Sequence, residues 1–94
     1  DPEIHRCYHY AGLRSSMTNV YILKCNDGKP YVGCTIDLED RLERHRKRAV
    51  PATQNRLPVE LVVSIKFNDK YKAFAFEKYL KSGSGRAFMR RHLL

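Results

Sequence analysis

Cysteine is scarce in this sequence. There are three, Cys7, Cys25 and Cys34, an odd number with no CxxC spacing. That argues against a disulfide framework and fits a reducing, cytoplasmic compartment. No apolar run approaches the ~20 residues that a membrane-spanning helix needs. There is no secretory signal pattern and no internal repeat. Acidic residues are also few. Ten Asp and Glu stand against 18 Lys and Arg, leaving a formal charge of +8 on 94 residues. Such an excess attracts polyanions, with nucleic acid the first partner to consider and an anionic membrane the second. Neither main helical segment sets a wide apolar face against a basic one, so membrane binding is not expected. At 94 residues, 43% of them hydrophobic, the chain has the size and composition of one globular domain. A domain of this size can bury a modest core without a covalent or metal staple, and a monomer is expected.

Asp1 to Ser16 carry no repeating pattern, and the first strong strand signal follows Met17 directly. The natural protein is expected to start at Met17, which makes 1–17 an N-terminal arm, non-native or disordered, and 18–94 the domain. Within the arm, His5, Cys7 and His9 could ligate a metal. They lack zinc-site spacing and a second ligand pair. Thr18 to Lys24 is β-branched and aromatic and reads as a strand. Asn26, Asp27 and Gly28 form a turn, and Pro30 to Cys34 a second strand, with Pro30 pointing to a sheet edge. A three-residue turn pairs Tyr21 with Gly33 and Leu23 with Tyr31, and so puts both tyrosines on one face. A helix is expected over Asp37 to Arg48, capped by Thr35 or Asp37 and halted by Pro51. A polar loop over 51–57 leads to a largely buried strand, Val59 to Phe67. Asn68 and Asp69 cap a helix running to about Lys81. Ser82 to Gly85 break it, and Arg86 to Leu93 form a basic helical segment. The sum is an α+β domain, a small three-stranded sheet (a β-hairpin plus a third strand) flanked by helices.

Helical geometry sorts the charged residues. Leu38, Leu42 and His45 share a stripe with Arg41 at its border, which leaves Arg41 and His45 beside the buried face. That position suits a snorkelling arginine and a packed histidine as well as a site. Ala73, Phe76, Glu77 and Leu80 share a face of the next helix, placing a carboxylate inside an apolar stripe. A buried, unpaired carboxylate costs several kcal/mol, so Glu77 must be paired, for example with an arginine such as Arg41, or protonated, or bound to a cation, or set at a cleft. Arg44, Lys47, Arg86, Arg90 and Arg91 are candidates for contacting phosphates.

Taken together, these residues resemble the GIY-YIG nuclease family. The first motif reads Val20-Tyr21-Ile22, with valine for glycine, and the second Tyr31-Val32-Gly33, with valine for isoleucine. The helix arginine falls on Arg41, the position one turn on is His45, and the later glutamate is Glu77. The segment from Phe76 to Phe88 is similar to small stand-alone bacterial members related to the nuclease domain of excinuclease ABC. The resemblance covers Thr18 to about Leu93. It implies metal-dependent endonuclease activity on DNA or RNA, structure-specific in repair or recombination, with Glu77 holding Mg2+ or Mn2+ and Arg41 binding nonbridging oxygens. Tyr21 or Tyr31 would activate the water. A tyrosine, with an ordinary pKa near 10, needs nearby cations to serve as a base. His45 is the other proton acceptor, on the ground of its ordinary pKa. Some members carry a lysine three residues after the second tyrosine, where this chain has Cys34, so activity is expected to be low or selective. The competing readings are a catalytically weak nucleic-acid-binding module of the same fold and a small basic structural protein.

Overall fold

The computed structural model describes residues 17–94, and elements are numbered over that span. The expected arm, the proposed start at Met17 and the His5–Cys7–His9 trio concern or adjoin residues 1–16, which lie outside the described part. The elements are β1 (Thr18–Lys24), β2 (Pro30–Thr35), α1 (Leu38–Arg46), β3 (Glu60–Phe67), α2 (Lys70–Leu80) and α3 (Gly83–His92). The sheet is antiparallel with order β2-β1-β3, so β1 is central and Pro30 lies on an edge strand, where its missing N–H costs no ladder bond.

The hairpin has the expected register, Tyr21 opposite Gly33 and Leu23 opposite Tyr31. Gly28 takes φ +79°, the left-handed geometry that such a loop requires. Alternation along β1 and β2 then divides the core. Val20, Ile22, Val32 and Cys34 pack with Ala73 and Leu80 of α2 and Met89 of α3. On the opposite sheet face Tyr21, Leu23, Cys25 and Tyr31 pack with Leu38 and Leu42 of α1 and with Val59.

Three features differ from the sequence expectation. Helix α1 is capped by Asp37, whose side chain accepts from the Asp40 amide, and stops at Arg46 rather than Arg48. Arg48 adopts φ 61°, its amide donates to the His45 carbonyl, and the Ala49 amide donates to the Arg44 carbonyl. This is a Schellman stop made with arginine in place of glycine, and it acts before Pro51 can. Strand β3 has no fully buried residue, against the expected burial: β2 is an edge strand too and is buried, but helix α2 covers β1 and β2 more fully than β3. The segment expected to be a break, 82–85, opens α3: Ser82 is the N-cap and its hydroxyl accepts from the Gly85 amide. A Cβ on Gly85 would collide with the Tyr79 carbonyl and Leu80 Cα, so this glycine permits α3 to cross the end of α2. No helix among the described residues is long and apolar enough to cross a membrane.

Candidate functional site

Tyr21, Tyr31 and His45 meet on the α1 side of the sheet. Tyr21 and Tyr31 have ring centroids 6.2 Å apart, and His45 sits edge-on to both, at 5.7 and 5.2 Å. The His45 ring is fully enclosed. Its Nε2 lies 2.9 Å from the Tyr21 hydroxyl and its Nδ1 2.7 Å from Thr53 Oγ1. Thr53 comes from the loop after α1, and the turn at Arg48 is what folds that loop back over the helix.

Burial, and then the positive charge of Arg41, push the His45 pKa down to about 4. The ring is therefore neutral at pH 7, donating from one nitrogen and accepting at the other. Its ordinary pKa, the ground for reading it as the proton acceptor, does not survive folding. Instead it bridges two hydroxyls. With Nδ1–H donated to Thr53, Nε2 accepts the Tyr21 proton; in the other tautomer Nε2–H donates to the Tyr21 oxygen and stabilises a phenolate.

The folded pKa lies below the unfolded value of about 6.5, so the unfolded chain binds the extra proton first as pH falls. The His45 contribution to stability is complete above about pH 6.5 and is lost progressively toward pH 4. A His45 imidazole resonance titrating near pH 4, with melting temperature falling over that window, is the expected outcome. A midpoint near 6.5 would contradict it.

Gly33 is needed for the pair to form. Its backbone is where the Tyr21 ring rests, and a Cβ there would overlap Tyr21 Cζ and the hydroxyl oxygen. Gly33→Ala is expected to cost ~1–3 kcal/mol, the usual penalty for overpacking. It should also break the Tyr21–His45 bond, read as an upward shift of the His45 titration. An unchanged melt and titration would show that the ring moves aside freely.

Glu77 belongs to the other layer. It is 1% exposed, on the stripe of α2 between Ala73 and Leu80. Lys81, one turn on, forms an ion pair with its Oε2. The carboxylate is thus paired by a lysine of its own helix, an (i, i+4) relation that sequence spacing can signal. Apart from that ion pair at Oε2, neither oxygen has a hydrogen-bond donor among the described residues.

No group of three or more His, Cys, Asp or Glu capable of holding a metal occurs among the described residues. A divalent ion at Glu77 would rest on one protein carboxylate, with water and phosphate oxygens as the remaining ligands. Mg2+ accepts that arrangement, and a buried carboxylate oxygen with no donor fits it. Tyr21, Tyr31, Arg41 and His45 are brought together; Glu77 approaches from the helix layer on the opposite sheet face, which packs on β2 as well as on β1 and β3.

The edge at β2 is where the layers adjoin. A groove of about 870 Å3 runs there, bordered by Tyr31 on one side and by Lys81, Arg86 and Arg90 on the other. Lys29 and Arg56 add two more cations, with Asp27 the acidic residue in the lining. Arg56 pins the loop to the hairpin: Nε donates to Asp27 Oδ2 at 2.9 Å, and that bond holds the Asp27 carboxyl below the usual carboxylate range. The phosphate-contact candidates separate accordingly. Arg86 and Arg90 line the groove and Arg91 does not. Arg44 pairs with Asp40 at 3.0 Å and Lys47 with Glu43 at 3.8 Å, so α1 offsets much of its own charge. Thr53, Arg56 and Lys29 are absent from the sequence-derived candidates. Nothing in the pattern of a polar loop marks them, because their roles come from where the loop lands.

The fold is that of a small α+β domain carrying a tyrosine–histidine–arginine cluster beside a basic groove. A solution structure of a UPF0213 protein from Bacillus halodurans matches it with a TM-score of 0.53 and 33% identity, over 80% of this chain and 81% of that one. Residues 17–91 match the family model for the GIY-YIG catalytic domain, and the chain belongs to the GIY-YIG family. Among bacterial relatives, UPF0213 protein YsiG of Lactococcus lactis is 42% identical over 62 residues, 65% of this chain and 60% of that protein. A UPF0213 protein of Streptococcus agalactiae is 38% identical over 69 residues, 72% of this chain and 78% of that protein.

Proposed function

We propose that this chain is a metal-dependent endonuclease that hydrolyses phosphodiester bonds in DNA, with RNA the alternative substrate, and that it acts as a cytoplasmic monomer on branched or damaged structures in repair or recombination. The observation that carries the reading is Glu77, a carboxylate 1% exposed with one oxygen lacking a donor, whose ion-pair partner opens onto a basic groove. The +8 charge supports a polyanionic substrate.

Mg2+ or Mn2+ held by Glu77 would supply the charge that neutralises the phosphate and the departing 3′ oxygen. The chain's own groups do the rest. The Tyr31 hydroxyl has no hydrogen-bond partner among the described residues, and Tyr31 borders the groove. It orients the attacking water and takes its proton. Tyr21, tied to His45, backs it at ring distance. Arg41, 4% exposed beside His45, sets a fixed positive charge that stabilises a phenolate and an approaching phosphate.

Cys34 favours a second reading, a catalytically weak nucleic-acid-binding module. It is buried in the α2–α3 core cluster and supplies no charge where some members have lysine. Cleavage of single-stranded, nicked, flapped and branched substrates with Mg2+, Mn2+ and EDTA separates the two. Metal-dependent cutting of any of them establishes the enzyme; binding without cutting establishes the module.

The groove also changes where salt dependence should reside. Affinity for short single strands is expected to fall with salt at a slope of about −0.7 per phosphate neutralised, nearly independent of sequence. Replacing Arg86 and Arg90 by alanine should reduce the slope by about 0.7 for each phosphate no longer neutralised. Replacing Arg44 and Lys47 should leave it nearly unchanged, because Asp40 and Glu43 already offset them. The reverse pattern would place the binding surface on α1.

A further inference from the structure

Lys81 is in an unusual place for a surface lysine. Its ammonium pairs with a carboxylate that is 1% exposed, while its own side chain is 39% exposed and borders the groove with Arg86 and Arg90. It therefore has two anionic environments within reach, the Glu77 carboxylate behind it and any phosphate lying in front. An ammonium on a four-carbon stem with three rotatable donors suits such an exchange better than a planar guanidinium. The other oxygen of Glu77 has no donor among the described residues, so the carboxylate is half compensated while Lys81 is docked.

We propose that Lys81 is a built-in counter-ion that occupies Glu77 until a strand enters the groove, then passes to a substrate phosphate and leaves the carboxylate to a divalent cation. This rests on the reading of Glu77 as the metal ligand. Two cations close to one carboxylate repel each other, so a docked Lys81 weakens metal binding in the free protein. A phosphate that draws Lys81 forward removes that repulsion. Metal and nucleic acid then bind with positive coupling, and by linkage each raises the affinity of the other by the same factor. The protein would hold little metal away from substrate and assemble its site on the strand.

The test measures Mn2+ affinity by electron paramagnetic resonance, with and without a short single-stranded DNA. All proteins carry Tyr31→Phe so that no strand is cut during the titration. Lys81→Met keeps the stem but leaves the enclosed Glu77 carboxylate unpaired, so Lys81→Gln, which removes the charge and keeps a donor, is titrated beside it and decides the outcome if Lys81→Met does not fold. Without DNA, Lys81→Met is expected to bind Mn2+ about tenfold more tightly than its parent, within the range typical of linked sites. DNA should raise the affinity of the parent by a similar factor, and that of Lys81→Met by clearly less. Lys81→Arg, which restores the charge, should move back toward the parent. Equal affinity and equal gain from DNA in parent and Lys81→Met would overturn the proposal while leaving Glu77 as the ligand. Weaker Mn2+ binding by Lys81→Met would overturn it too, making Lys81 a support of the site. No Mn2+ binding that responds to Glu77→Gln would remove the underlying reading, and the proposal with it.

Discussion

Glu77→Gln is expected to abolish metal-dependent cleavage while leaving the protein as stable in EDTA as the parent, or slightly more so. The reason lies in the partner. Removing one member of a fully buried ion pair strands the other charge and costs ~3–5 kcal/mol, enough to unfold many small domains. Lys81, however, is 39% exposed, so its ammonium can turn to water when the carboxylate charge is gone. Glutamine keeps the shape, and it removes a buried charge of which one oxygen has no donor. The parent should be stabilised by Mn2+ through binding to the native state, and Glu77→Gln should not. Thermal melts of both proteins in EDTA and in Mn2+, with cleavage assays alongside, decide the matter. A variant that melts far earlier in EDTA, or one that still cuts, would return Glu77 to a structural role.

The two tyrosines are expected to fail in different ways. Tyr31→Phe should lower cleavage by about 10²–10⁴, the usual contribution of a positioned acid or base, with little change in stability. Its hydroxyl makes no bond to a described residue, so nothing in the fold depends on it. Tyr21→Phe should cost ~1–3 kcal/mol of stability, because it leaves the enclosed Nε2 of His45 without the hydroxyl 2.9 Å away. Single-turnover rates and urea melts on both variants separate the roles. If Tyr31→Phe cut at the parental rate and Tyr21→Phe lost all cleavage at unchanged stability, Tyr21 would be the group that meets the water.

Much of the site is legible before folding because it is built from local periodicity. Alternation in a hairpin with a three-residue turn puts Tyr21 and Tyr31 on one face. The helical repeat puts Arg41 beside His45 and sets Glu77 among apolar neighbours, where it is indeed enclosed. The helix end at Arg46 is not legible, because a left-handed arginine is rare and carries no sequence mark. The exposure of strand β3 is hidden for another reason: β-branched residues serve a covered strand and an uncovered one alike, and how far a helix lies over a strand is not a property of that strand.

By itself, then, the sequence determined the element types, the tyrosine face, the buried carboxylate and the polyanion-seeking charge, since each follows from spacing of a few residues or from composition. Tertiary structure decided which cations are available and which groups touch. Arg44 and Lys47 are offset within their helix, whereas Lys29, Arg56, Arg86 and Arg90 converge on one groove from three separate segments. Thr53 reaches His45 from a loop whose path depends on the turn at Arg48, and desolvation together with the Arg41 charge lowers the His45 pKa to about 4. Such properties depend on burial and on distances between chain segments far apart in sequence, and neither exists until the sheet and its two helical layers have closed on each other.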